Sequence, residues 1–139
     1  MAPLLGAWEA TAETPMGPVK CTRVFEKTLS DNYIELVARW DFGGKAYVEQ
    51  AIFGVNREGV VTFWSFTNDG KNSTGIATDG TDVHPEAIAF EAEMPAGTAR
   101  MVYTPDDEVA DKMVWVVESK TKKGWNRFMT HSYRRVEIE

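Results

Sequence analysis

The chain has 139 residues, of which 43% are hydrophobic, 12% aromatic and 26% charged; this is the composition of one folded domain spanning 1–139 and excludes a two-domain enzyme. Fifteen basic against twenty-one acidic residues leave a formal charge of −6, which opposes the counterion release that nucleic-acid binding depends on and disfavours an acidic membrane surface. A domain of this size buries about two-thirds of its unfolded surface, so its core needs neither a metal nor a disulfide, and Cys21 has no second cysteine to pair with.

In chain order, the N-terminus Met1 to Trp8 carries neither a basic flank nor an apolar run of signal-peptide length, and no segment approaches eighteen apolar residues; the expectation is a cytoplasmic protein with no membrane partner. Alternating runs follow, broken by turn residues at intervals that signal an all-β chain. Gly6 to Glu13 ends at Thr14-Pro15-Met16-Gly17-Pro18, Lys20 to Leu29 at Ser30-Asp31-Asn32, and Tyr33 to Phe42 at Gly43-Gly44. Ala46 to Val55 turns at Asn56-Arg57-Glu58-Gly59 into Val60 to Thr67, and Asn68 to Asn72 leads into Ser73 to Thr78. After a loop from Asp79 to Glu86 come Ala87 to Met94, Ala99 to Thr104, Lys112 to Lys120 and Trp125 to Val136, with one helical turn expected in Pro105 to Asp111. Ten short runs without a crossover helix exclude a parallel sheet. The arrangement that removes both sheet edges is a single antiparallel up-and-down β-barrel, whose interior is filled by side chains or holds one small ligand.

Side chains alternate between the two faces of a strand, so parity assigns the interior. Ile34, Leu36, Ala38, Trp40 and Phe42 share one face; so do Ile88, Phe90, Ala92 and Met94, then Ala99, Met101 and Tyr103, then Met113, Trp115 and Val117. The run Val60 to Phe66 is apolar on both faces, which predicts either a covered outer face or a homodimer contact. In the last run Trp125, Arg127, Met129, His131 and Tyr133 share one parity. If that set faces inward, an imidazole and a phenol stand side by side in an apolar barrel, where a ligand or water supplies their hydrogen bonds.

Leu5-Gly6-Ala7-Trp8 at the start and a basic-aromatic final strand resemble the calycin superfamily, which includes lipocalins and fatty-acid-binding proteins. The resemblance implies a lipocalin-like barrel in which Trp8 packs at the base under Arg134 or Arg135. In fatty-acid-binding proteins the final strand carries an inward Arg-x-Tyr that holds a carboxylate; His131 occupies the arginine position of the similar stretch Thr130 to Glu137. Length, segment order and the closing Tyr133-Arg134-Arg135 look like uncharacterised bacterial lipocalin-like families. The chain is also similar to nitrobindin-like barrels, which implies haem as a cofactor with His131 as the iron ligand.

Several other residues read as structural. His84, near Asp82 and Glu86, makes a catalytic zinc site only by drawing ligands from carboxylates, and reads instead as a residue of a solvated loop. Cys21, close to Lys20 and Arg23, reads as a small buried apolar residue, and Asp106, Asp107, Glu108 and Asp111 as a solvated charge run. The leading expectation is a non-enzymatic barrel for a small hydrophobic or amphipathic ligand, with Arg127, His131 and Tyr133 as polar anchors and Trp40, Trp115, Met101 and Phe90 as walls. An acid–base enzyme using His131 and Tyr133 rests only on the suitability of an imidazole.

Overall fold

The computed structural model describes residues 1–15 and 17–137, Thr14 through its backbone alone; Met16, in the first expected turn, and residues 138–139 lie outside the described residues. The ten strands among them are β1 (Gly6–Thr14), β2 (Gly17–Thr28), β3 (Tyr33–Asp41), β4 (Ala46–Val55), β5 (Val61–Thr67), β6 (Asn72–Thr78), β7 (Ile88–Met94), β8 (Gly97–Pro105), β9 (Lys112–Thr121) and β10 (Gly124–Val136). Each pairs antiparallel with its chain neighbours and β10 closes on β1, giving a lipocalin-like up-and-down barrel. Closure is incomplete along its length: among the described residues β1 and β10 pair only through Ala7–Val136, Trp8–Arg135 and Glu9–Arg134. Above that level the two strands part.

One end of the barrel is plugged. A 3₁₀ turn, Ala2–Leu4, places Leu4 in the core, and the Trp8 indole N–H donates to the Leu4 carbonyl at 2.9 Å. Arg135 lies over the Trp8 ring at 4.2 Å and donates to the Leu5 carbonyl, while Arg134 pairs outside with Glu9 at 3.0 Å. Of the two arginines expected at the base, Arg135 therefore covers Trp8. The 105–111 stretch contains no helix; Asp106 instead caps the Glu108 and Val109 amides as a side-chain turn.

The interior follows the alternation. Phe25, Phe53, Phe63 and Phe90 form a ring cluster with neighbouring centroids 5.1–6.2 Å apart, and β6 contributes Gly75, where a Cβ would collide with Phe63 and with the Glu91 carbonyl. Phe42 and Met94, grouped with the interior by parity, are exposed because each sits at a turn. The outward residues Ala89, Val102 and Val116 are nevertheless buried, because Val83 and Ala87 of the long β6–β7 connection pack over them. Within that cover Arg100 is held by Glu118 (2.5 Å) and Asp82 (2.9 Å), with the Trp125 ring above it at 4.5 Å.

Candidate functional site

At the end opposite the plug, β1, β2, β3, β4, β9 and β10 surround a cavity of about 490 Å³. Trp40, Phe42, Tyr47, Trp115, Met129 and His131 line it, with Ala12, Glu13 and Val19 on the β1–β2 side. The cavity spans the place where β1 and β10 have separated, so its two sides are bridged by side chains and open space instead of a ladder.

Beneath it lies Arg23 of β2, 1% exposed. It alternates with Val19, Cys21 and Phe25, all buried, and so is carried into the core by the strand's own period. Its Nη1 donates to the Tyr103 hydroxyl at 2.8 Å and its Nε to the Tyr133 hydroxyl at 3.4 Å; no salt bridge to it forms among the described residues. Its guanidinium lies 4.2 Å from the Trp115 ring centroid and 5.4 Å from that of Trp40. Register places Arg23 level with Ala38 and Ala38 level with Glu49, so only a methyl group stands between the two charged residues in that row. The Glu49 carboxylate accepts from Ser65 at 2.5 Å. Burial opposes the arginine's charge, but the oxygens of Tyr103 and Tyr133 with Glu49 outweigh it, and the pKa lies above the ordinary arginine value.

The other titratable groups respond to the same burial. Tyr103 is pushed up to about 12, foremost by desolvation and against the pull of Arg23. Desolvation likewise raises the Tyr133 phenol and the Cys21 thiol, so the latter is no activated nucleophile. His131 moves the other way: burial first, and the Arg23 charge second, lower its pKa and hold it neutral. Its Nδ1 is buried without a hydrogen-bond partner. The Trp115 indole N–H turns toward the Tyr103 hydroxyl without completing a hydrogen bond of normal geometry.

Of the expected anchors and walls, His131, Trp40 and Trp115 line the cavity, and Tyr133 sits beneath it on Arg23. Phe90 belongs to the phenylalanine cluster and Met101 packs against the core, both away from the cavity. Arg127 does not face inward. A β-bulge between Arg127 and Met129 reverses the parity of β10, so Arg127 is exposed and pairs with Glu118 at 3.5 Å, and Trp125 covers Arg100 on the outside. Sequence reasoning missed Arg23 and Glu49, although each alternates with apolar residues: Cys21 and Phe25 flank the first, Ala51 and Phe53 follow the second.

His131, the residue expected to ligate haem iron, lines the cavity, and its Nδ1 has no hydrogen-bond partner. No group of three metal-ligating side chains converges among the described residues, and His84 instead contacts Asp107 at 2.8 Å.

No family model matches the chain, and a search of curated proteins returns no match. The fold defines the class, a lipocalin-like closed barrel with an aromatic-lined cavity at its open end.

Proposed function

We propose that this barrel is a binding protein for a small hydrophobic or amphipathic molecule, held in the cavity between Trp40, Trp115, Met129 and His131. The carrying observation is a cavity of about 490 Å³ whose inner wall is aromatic and whose one carboxylate, Glu13, sits at the exposed rim. The parted β1 and β10 strands offer a lateral entrance that needs no unfolding of the plugged end. The Trp8–Arg135 stack supports a calycin relationship.

Titration with fatty acids, haem and aromatic amphiphiles, followed by tryptophan quenching, tests the reading. Saturable binding below millimolar is expected, weakened at least about tenfold by the cavity-filling Val117→Trp. Absence of any binding below millimolar overturns it.

A second reading concerns the outer face. Trp64 (38% exposed), Phe66 (59%) and Ile76 (49%) form an apolar stripe beside a shallow cleft of about 720 Å³ on β5–β7. Such a stripe suits a homodimer. Sedimentation of wild type against Trp64→Glu decides it, since a monomer at all concentrations removes the reading. Phe63→Glu is unsuitable, because Phe63 is buried in the core.

A further inference from the structure

The cavity wall is a chain of rings with a cation behind it. Tyr47, Trp40, Trp115 and His131 follow one another at centroid separations of 5.5, 6.3 and 5.5 Å, tilted by 45–52°. Tilts of that size make a concave aromatic face on which a flat ring finds offset and edge contacts together. Ring faces of this kind ordinarily attract cations. Here the guanidinium of Arg23 already lies against the Trp115 ring at 4.2 Å, and a second cation would meet its repulsion.

The charge of Arg23 is not paired by a contacting carboxylate. Its hydrogen-bond partners are two phenols, and Glu49, which acts on it from across Ala38, forms no ion pair with it. In a low-dielectric interior such a charge projects further than it would in water. Its field reaches the cavity, since Arg23 contributes to holding His131 neutral. The carboxylate among the lining residues, Glu13, is exposed at the rim. Glu49 acts on Arg23 and Tyr103, whereas the charge that acts on His131 is that of Arg23, so the wall beside His131 is aromatic with a positive field behind it.

We propose that the cavity selects planar aromatic anions, the ring lying on the Trp40–Trp115 wall and a carboxylate or phenolate oxygen held by the field of Arg23 beside His131. This deepens, and rests on, the assignment of the cavity as the binding site. A linear chain of similar carbon count lacks the ring contacts, a neutral aromatic lacks the charge attraction, and an aromatic ammonium is repelled.

Calorimetric titration of the full chain with 2-naphthoate, 2-naphthalenemethanol, 2-naphthylmethylammonium and decanoate tests this directly. 2-Naphthoate is expected to bind at least about fivefold tighter than the alcohol and about tenfold tighter than decanoate, with the ammonium weakest. Arg23→Met should bring the naphthoate-to-alcohol affinity ratio down to about one; Trp115→Leu should abolish the preference for naphthoate over decanoate. The wild-type ratios carry the test even where a variant fails to fold. Equal binding of acid and alcohol, with each displacing the other, overturns the anion selectivity and leaves the binding site standing, whereas decanoate binding as tightly as naphthoate overturns the aromatic selectivity. Failure of all four compounds to bind overturns the aromatic-anion selectivity, and the binding-site reading falls with it only when the longer fatty acids and haem also fail to bind.

Discussion

A buried arginine is among the least expected residues in a small barrel, and Arg23 is tolerated because its surroundings are polarisable as well as polar. Phenol oxygens accept two of its hydrogen bonds and the faces of Trp115 and Trp40 cover its plane. Burial first, and the same charge second, set the behaviour of His131. The folded imidazole binds a proton more weakly than the ordinary value of 6.5, so the unfolded state holds more protons as pH falls below that value. The stability contributed by the neutral imidazole is complete above 6.5 and declines as pH falls through it toward the lowered folded pKa. Melting temperature should therefore drop across that window, and His131→Asn should flatten the drop; an unchanged slope assigns it elsewhere. Phe90 has a simpler role. It touches Phe53 and Phe63 in the packed cluster, so Phe90→Ala should cost about 3–5 kcal/mol in urea unfolding.

At the scale of elements, β10 is divided in two by its bulge. Below it Met129, His131 and Tyr133 face the interior, and above it Trp125 and Arg127 turn outward onto Arg100 and Glu118. One extra residue thus assigns half the strand to the cavity and half to the outer ionic cluster. That cluster holds the β6–β7 connection against the barrel through Arg100 and Asp82. Glu118→Leu leaves the buried guanidinium with Asp82 as its remaining carboxylate, beside the Asp79 carbonyl, and should destabilise by about 3 kcal/mol, whereas Arg127→Ala, at an exposed pair, should cost about 1 kcal/mol or less. Chemical denaturation measures both, and equal costs would show that Glu118 does not anchor Arg100. Limited proteolysis of Glu118→Leu should also cut first within 79–87.

On the scale of the whole molecule, the barrel has a firm base and a parted side. Three paired positions join β1 to β10, against ten between β10 and β9. Hydrogen exchange should accordingly be fastest for those amides of Ala10 to Glu13 and Met129 to Ser132 that point across the parting, and slowest around the phenylalanine cluster. Uniform protection of the two strands would mean that the parting is closed in solution.

Much of this architecture was legible in the chain. Turn residues separated ten runs, and strict alternation along Ile34–Trp40 and Met113–Val117 identified inward faces, because a strand with one buried side must repeat every second residue. The pairing of Trp8 with a C-terminal arginine was foreseeable from the motif, though the register alone chose Arg135 over Arg134. The bulge in β10 carries no glycine to announce it, so parity ran through it and placed Arg127 on the wrong face. Arg23 was hidden for the opposite reason: its alternation was correct, but a charged side chain on an apolar face acquires meaning only when Tyr103, Tyr133, Trp40 and Trp115 arrive from four other strands. Local periodicity is a property of neighbours in the chain and can be read there; the cavity, its buried cation and the covered outer face are made by residues far apart in sequence, and only closure of the barrel brings them together.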